Sequence, residues 1–278
     1  MDRAKTIEML KKNSFKLTKS LGQNFLVDDT VLEDIVNSAD VNPDDEIIEI
    51  GPGFGALTRL LLDKGKNVTA IELDKKLIPI LEDEFKDYTN LKIINEDVLK
   101  CDMDEIIGDS EVKILANLPY YVTTPIITKL IKGKSKILSI TIMIQKEVAD
   151  RIAASPSTKD YGALTLLVSY YCGVSKVREV PPTSFIPSPK VSSTVIRLIP
   201  RKEKSVKVND EDLFFKIIRD SFNMRRKTLS NSLMPLGLSK EKLINVLKES
   251  DIDPKRRGET LSIEEFALLS NKISDLKI

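Results

Sequence analysis

The stretch EIIEIGPGFGA, residues 46–56, decides the fold of this 278-residue chain. Its first five residues are rich in isoleucine, as in a buried strand, and three glycines follow within the next five positions. Glycine lets the backbone turn tightly and approach a ligand closely, at the end of a strand where open α/β sheets bind nucleotides. Gly51, Gly53 and Ala56 also match the dinucleotide pattern G-x-G-x-x-G/A, so the stretch predicts an adenosine-bearing cofactor without deciding which one.

Short apolar runs alternate with helical patterns downstream of this stretch. Buried strands are expected at residues 46–50, 67–73, 91–95, 113–116 and 137–144. Helical patterns occupy residues 57–64, 75–85 and 124–131. This alternation predicts an α/β fold with a mostly parallel sheet that is covered by helices on both faces.

The character of the chain changes after residue 200. Before that point, residues 164–171 have the spacing of one more helix, and residues 191–199 read as a late strand. Between them, a proline cluster predicts a loop of defined shape, at Pro181, Pro182, Pro187 and Pro189. Residues 201–207 are a charged linker, and only helical patterns follow. We therefore expect one domain over residues 1–205 and a small all-helical domain over residues 206–278.

Composition excludes several classes of protein. The chain has no histidine, which rules out imidazole triads and most catalytic zinc sites, and we predict no metal. Cys101 and Cys172 are too few for a disulfide framework and favour a reducing compartment. The longest apolar run, residues 137–144, is too short to span a bilayer, and the charged residues 1–10 do not form a secretory signal. We expect a cytoplasmic protein that acts as a monomer.

Charge is distributed unevenly, although the net charge is only +1. Residues 27–122 carry 23 acidic and 9 basic side chains, whereas residues 201–278 carry 13 acidic and 17 basic ones. This distribution is consistent with polyanion contacts made by the later segments and equally with solvated surfaces.

Polar residues follow two further strands of the predicted sheet. Glu72 ends the second strand 21 positions after Gly51, where an acidic side chain holds ribose hydroxyls. Asp97 follows the third strand, where its carboxylate would accept a hydrogen bond from an adenine amino group.

The sequence Asn117-Leu118-Pro119-Tyr120 at the end of the fourth strand favours a base with an exocyclic amine. The Asn117 side-chain oxygen and the Pro119 carbonyl are predicted to accept the two amine hydrogens, while Tyr120 stacks on the ring. Two acceptors would localise the nitrogen lone pair and stabilise the positive charge that develops on it during group transfer. Since a paired base cannot reach such a pocket, the target must be extruded or lie in a loop.

Four motifs in order identify the chain as a member of a known family. These are LGQNFL (residues 21–26), EIGPGFG (49–55), NLPYY (117–121) and FIPSPKV (185–191). With these motifs the chain closely resembles the KsgA/RsmA family of ribosomal RNA adenine dimethyltransferases, from about Phe15 onward. The resemblance implies a class I methyltransferase fold with a Rossmann-like sheet and S-adenosyl-L-methionine as methyl donor. It also implies, as acceptors, two adjacent adenosines in a hairpin loop near the 3′ end of 16S ribosomal RNA in the small subunit, and a role in small-subunit biogenesis.

The resemblance also assigns site residues. Cofactor contacts are implied for Gln23, Asn24, Leu26, Gly51, Gly53, Glu72, Asp97 and Asn117. The target-adenine pocket is implied to consist of Asn117, Leu118, Pro119, Tyr120 and Phe185, with the base stacked between the two aromatic rings. Tyr121 follows the motif where many relatives have another residue.

The C-terminal region carries two basic clusters, Arg225-Arg226-Lys227 and Lys255-Arg256-Arg257. We predict phosphate contacts for the first, which resembles the family's C-terminal motif, and such contacts give affinity for RNA without reading its bases. Both clusters lie outside the segment that carries most of the predicted donor site. A protein that lacks residues 206–278 should therefore still fold and bind the donor.

Three other functions are compatible with parts of the pattern. A macrolide-resistance methyltransferase would modify large-subunit RNA on a similar framework, although residues 223–233 and the FIPSPKV motif speak against it. A ribosome-assembly protein could keep a vestigial methyltransferase site. The glycine turn alone would also allow an NAD-dependent oxidoreductase.

Overall fold

The computed structural model describes residues 3–13, 15, 18, 22–133 and 136–276, and it divides into two compact units. The first unit comprises Met1–Ala149 and Gly173–Pro200, and the second comprises Asp150–Cys172 and Arg201–Ile278. The second unit is therefore built from two separate stretches of chain. The predicted boundary near residue 205 lies close to Pro200, where the chain passes from the first unit into the second for the last time. The sequence did not indicate that residues 150–172 pack with the C-terminal helices.

The first unit is built on a seven-stranded sheet with the order β4-β3-β2-β5-β6-β9-β7. The strands are β2 (Glu46–Ile50), β3 (Asn67–Glu72), β4 (Leu91–Asn95), β5 (Val112–Asn117), β6 (Ile137–Gln145), β7 (Cys172–Val180) and β9 (Ser193–Pro200). The pairs β2–β3, β2–β5, β3–β4 and β5–β6 are parallel, and β9 is antiparallel to β6. The predicted mostly parallel α/β sheet is confirmed.

A second, two-stranded sheet pairs β1 (Phe25–Leu26) with β8 (Phe185–Ile186). The sequence analysis did not predict these short strands, nor did it predict β7. The middle of β7 is polar and exposed at Ser175 and Lys176, as is common at a sheet edge. An edge strand of this kind lacks the apolar pattern that reveals a buried strand.

Helices flank the large sheet, and apolar side chains on one face of each helix build the core. In the first unit they are α1 (Arg3–Lys12), α2 (Asp29–Ser38), α3 (Ala56–Lys64), α4 (Ile78–Glu84), α5 (Met103–Ile107) and α6 (Thr123–Lys132). Leu57, Leu61 and Leu62 of α3 are buried, four and five positions apart as helical packing requires. Helix α7 (Lys146–Ile152) leads from the first unit into the second.

The second unit is helical in its described residues. It contains α8 (Ala163–Tyr171), α9 (Glu211–Asn223), α10 (Leu229–Ser232), α11 (Lys240–Glu249) and α12 (Ile263–Asp275). Its aromatic core joins the two stretches of chain, because Tyr170 lies 5.3 Å from Phe214 and Tyr171 stacks at 6.0 Å on Phe215, measured between ring centroids. Removal of residues 206–278 would therefore expose the apolar face of α8.

Candidate active site

A cavity opens in the first unit at the carboxyl ends of the parallel strands β2, β3 and β5. Parallel strands present their carboxyl ends at one edge of a sheet, so residues far apart in sequence meet there. The cavity brings together eleven of the predicted site residues, namely Gln23, Asn24, Leu26, Gly51, Gly53, Glu72, Asp97, Asn117, Leu118, Pro119 and Tyr120. Leu21, the first residue of the N-terminal motif, lies outside the described residues.

The glycine turn after β2 forms one wall of the cavity. Gly51, Gly53 and Gly55 all have positive φ angles, a conformation that L side chains rarely adopt. At Gly55 a Cβ would lie 2.3 Å from the Phe85 ring, so no side chain fits. The turn is thus fixed by sterics, and backbone groups of Gly51 and Gly53 line the site in place of side chains.

Glu72 ends β3 and is only 6% exposed. Its carboxylate accepts hydrogen bonds from the backbone N–H groups of Gly53, at 3.3 Å, and Asp74, at 2.7 Å. Burial raises the pKa of this carboxyl to about 7, against the opposing effect of those hydrogen bonds. The arrangement fixes a carboxylate acceptor in the wall of the cavity.

Glu49 is a cavity residue that the sequence analysis quoted without assigning a role. It is 1% exposed, and Thr58 Oγ1 donates a 2.6 Å hydrogen bond to its carboxylate. Burial raises its pKa to about 8, and repulsion from Glu72 adds to the shift. A glutamate inside an otherwise apolar strand was the signal that could have revealed it. Two buried carboxyls in one cavity favour a positively charged ligand.

The N-terminal motif is held at the rim by side-chain amides. Gln23 Nε2 donates to Asp74 Oδ2 at 2.8 Å, and Asn24 Nδ2 donates to the Gly22 carbonyl at 3.0 Å. Asp74 was not predicted, and its buried carboxylate ties this motif to the loop after β3. Since Leu26 belongs to β1, the same segment is also anchored by strand pairing.

Asn117 ends β5 with its amide already oriented. Its Nδ2 donates to the Asn24 carbonyl at 3.2 Å, which leaves the side-chain oxygen as the acceptor available to a ligand. Asp97, near the start of the loop after β4, accepts a 3.0 Å hydrogen bond from the Leu99 N–H and lines the same cavity.

The Pro119 carbonyl does not have the role predicted for it. It accepts hydrogen bonds from Thr123 Oγ1, at 3.2 Å, and the Val122 N–H, at 3.3 Å, because it begins the turn into α6. Its two lone pairs are thus engaged within the protein. Among the described residues no hydrogen-bond donor reaches the carbonyl of Leu118, which therefore remains able to accept a hydrogen bond from a ligand.

The two predicted aromatic residues lie in different environments. The Tyr120 hydroxyl forms a 2.7 Å hydrogen bond with Ser193 Oγ, and burial raises the pKa of Tyr120. Phe185, by contrast, is 1% exposed within the hydrophobic core and does not line the cavity. It pairs with Leu26 across the β1–β8 ladder. Phe185 therefore packs behind the N-terminal motif, and the expected stack of a base between two rings reduces to Tyr120.

The basic cluster at residues 225–227 lies in the second unit, and its three cations differ. The Arg225 guanidinium binds Glu259 at 2.7 Å and the carbonyls of Thr158 and Lys159. Arg226 and Lys227 are exposed, and no carboxylate in the described part of the chain lies within ion-pairing distance of them. Arg225 is thus held by internal partners although its side chain is 45% exposed, and its role in phosphate binding stays a prediction.

In the second predicted basic cluster, Arg256 likewise binds Glu265 through both terminal nitrogens and donates to the Thr260 carbonyl. Its neighbours Lys255 and Arg257 are exposed. The 2.8 Å hydrogen bond from the Leu229 N–H to the Arg256 carbonyl brings the second cluster close to the first in space.

In the described residues, no group of three or more cysteine, aspartate and glutamate side chains is placed to hold a metal ion. No helix among the same residues is long and apolar enough to cross a membrane.

Comparison with known proteins agrees with this geometry. The family model "Ribosomal RNA adenine dimethylase" matches residues 14–275. Ribosomal RNA small subunit methyltransferase A of Clostridium acetobutylicum is 59% identical over 269 residues, which are 96% of this chain and 98% of that protein. The protein of the same name from Clostridium perfringens strain 13 is 58% identical, over 97% of this chain and 95% of its own length.

Solved structures show the same architecture. A dimethyladenosine transferase from Plasmodium falciparum superposes with a TM-score of 0.80 at 28% identity, covering 91% of this chain and 98% of its own. The 23S rRNA methyltransferase ErmE superposes with a TM-score of 0.70 at 24% identity, covering 90% and 100% of the two chains, and this likeness speaks for the fold alone. On the family match and the sequence identities, the chain belongs to the ribosomal RNA adenine dimethylase family.

Proposed function

We propose that this protein transfers methyl groups from S-adenosyl-L-methionine to the exocyclic amines of two adjacent adenosines in 16S ribosomal RNA. The acceptor is a hairpin loop near the 3′ end of that RNA in the small ribosomal subunit, and the modification serves small-subunit biogenesis. The observation that carries the proposal is the oriented amide of Asn117 in the cavity that also holds the buried carboxyls of Glu49 and Glu72. The small-subunit names of relatives at 58–59% identity support this choice of RNA.

The residues that line the cavity suit the chemistry of the methyl donor. We assign Glu72 to the ribose hydroxyls and Asp97 to the adenine amino group, and the backbone of Gly51 and Gly53 lets a ligand approach closely. The buried carboxyls favour the positive charges of the donor. When bound, S-adenosyl-L-methionine supplies a methyl group activated by a positively charged sulfur.

The acceptor side needs no strong base, in agreement with a chain that has no histidine. We assign the two amine hydrogens to the Asn117 side-chain oxygen and the Leu118 carbonyl, with Tyr120 against the base. These acceptors would stabilise the positive charge on nitrogen as its lone pair bonds to the methyl carbon, while the carbon–sulfur bond breaks and its electron pair leaves with sulfur as a neutral thioether. The proton then leaves to solvent. One N–H remains after the first transfer, so a pocket with room for a methyl group can act twice.

In this proposal the second unit contacts the RNA backbone. Arg226 and Lys227 are the exposed cations of the predicted cluster, and phosphate contacts from them would add affinity for any RNA sequence. We assign the active form to a monomer in the cytoplasm, where the buried free thiols of Cys101 and Cys172 would stay reduced.

The decisive experiment supplies methyl-labelled donor and small subunits that lack the modification. Label should enter two adjacent adenosines, mapped by primer extension, because dimethylation blocks the pairing edge of the base. Large subunits serve as the alternative acceptor. Label in large subunits alone would favour a macrolide-resistance activity, and label in neither would leave a binding protein with a vestigial site.

A titration that compares NAD with S-adenosyl-L-methionine tests the oxidoreductase alternative. The proposal expects binding of the methionine derivative alone. Saturable NAD binding without any binding of S-adenosyl-L-methionine would reverse the assignment.

A further inference from the structure

Tyr121 is a large aromatic residue that the predicted chemistry does not use. It lines the cavity mouth and is 58% exposed, the largest exposed fraction among the large hydrophobic side chains of the described residues. Its neighbours in the motif behave differently, since Leu118 is buried and the Tyr120 hydroxyl is bonded to Ser193. An exposed ring beside a cavity is more informative than a scattered surface leucine, because it adjoins a site that must receive a second molecule.

The Tyr121 ring is carried by a turn that hydrogen bonds close. The turn between β5 and α6 is closed by hydrogen bonds from Val122 N–H and Thr123 Oγ1 to the Pro119 carbonyl. The edge of the Tyr121 ring lies 3.4 Å from the point where a Cβ of residue 22 would stand, and Gly22 has no Cβ. Among the described residues no group hydrogen-bonds to the Tyr121 hydroxyl. The ring is therefore positioned by packing at one edge while most of its surface faces solvent.

We propose that Tyr121 stacks on the base that adjoins the target adenosine in the RNA. This inference rests on the proposed function. Only one of two adjacent bases can occupy the pocket between Asn117 and Tyr120 at a time, and the other must then lie at the mouth of the cavity. An aromatic side chain is the usual platform for an unpaired RNA base. Tyr121 is thus a positioning residue that determines which base of the RNA enters the pocket. Asn117 and Leu118 contact the reacting amine.

The first test compares Tyr121→Ala with Tyr121→Phe. Stacking of one base on an aromatic side chain strengthens RNA binding by a factor of about 5 to 140. Tyr121→Ala should therefore lower kcat/KM for RNA by that factor, mainly by raising KM. Tyr121→Phe should keep nearly full activity, and the donor Kd should not change in either variant. Leu138→Ala is the matched control, because Leu138 is an exposed apolar residue of the first unit, 42% exposed, that does not line the cavity.

The second test uses the absence of tryptophan from the chain. Tyr121→Trp introduces a single tryptophan, which can be excited selectively at the red edge of tyrosine absorption. A stacked base should quench its fluorescence when the hairpin RNA binds in the presence of S-adenosylhomocysteine. Leu138→Trp should show no comparable quenching.

The outcomes separate this inference from the function on which it rests. If the wild-type protein methylates small subunits but Tyr121→Ala matches it in KM, or if Tyr121→Trp is not quenched, Tyr121 does not stack on the RNA. If the wild-type protein methylates neither subunit, the proposed function itself fails, and the positioning role of Tyr121 fails with it.

Discussion

The donor cavity of the first unit and the basic segment of the second unit both carry charge, but they hold it in opposite ways. In the cavity, Glu49 and Glu72 are buried, accept hydrogen bonds from a hydroxyl and from backbone N–H groups, and have raised pKa values. In the second unit, Arg225 and Arg256 are engaged by carboxylates, and Arg226 and Lys227 face solvent. A buried carboxyl with a raised pKa gains its charge more readily when a cationic ligand binds beside it, whereas an exposed cation is informative only once its internal partners are known.

The largest effect is expected in the cavity. Asn117→Ala should lower the rate of methyl transfer roughly 10²- to 10³-fold, the usual cost of removing one group that stabilises developing charge. Affinity for RNA should change little, because phosphate contacts dominate binding. Single-turnover rates and RNA binding are measured side by side with donor affinity, since a donor contact is also predicted for Asn117. Equal losses in rate and RNA affinity would make Asn117 a docking residue.

Glu72 offers the next largest effect. Glu72→Ala should weaken binding of S-adenosyl-L-methionine by roughly 1.5–3 kcal/mol, the range for hydrogen bonds to a charged group. Isothermal titration of the folded variant measures the loss. Glu46→Ala is a suitable control, because Glu46 begins β2, at the end of the strand opposite the glycine turn, and pairs with Lys66. An unchanged donor affinity would remove Glu72 from the site.

The basic segment allows a sharper comparison within one cluster. In the double variant Arg226→Ala/Lys227→Ala, the slope of log affinity against log salt concentration should become shallower by roughly 1.5. With two phosphate contacts removed, fewer counterions leave the RNA when the protein binds. Arg225→Ala should leave that slope almost unchanged and instead lower the melting temperature, because its partner is Glu259. Parallel slopes for the double variant and the wild type would show that these two cations are solvated and do not contact phosphates.

The last prediction concerns the dependence of stability on pH. Because burial raises the folded-state pKa of Glu49 to about 8 and of Glu72 to about 7, above their ordinary value of 4.5, the folded protein binds more protons than the unfolded chain between these values. The free energy of unfolding should therefore fall as pH rises from 5 to 8 without donor. Thermal melts at several pH values measure this slope, and Glu49→Gln should reduce it. A slope that is the same in the variant would show that other groups cause it.

Sequence alone predicted the cavity well and the surroundings poorly. Glu72 and Asn117 follow strands whose apolar pattern is plain, and in a parallel sheet the end of a strand determines where the next side chain lies. By contrast, the burial of Phe185 depends on pairing with Leu26, and the engagement of Arg225 depends on Glu259, 34 positions away. The Pro119 carbonyl was misassigned because its bonding depends on how the following helix begins.

The split of the second unit between Asp150–Cys172 and Arg201–Ile278 has a consequence for synthesis of the chain. A nascent chain that has emerged through Pro200 already contains all of the first unit. Helix α8, which emerges earlier, must wait for Phe214 and Phe215 of α9 before its tyrosines are covered. The first unit can thus fold while the protein is still being translated, but the second unit closes only after the residues that follow Pro200 have been made.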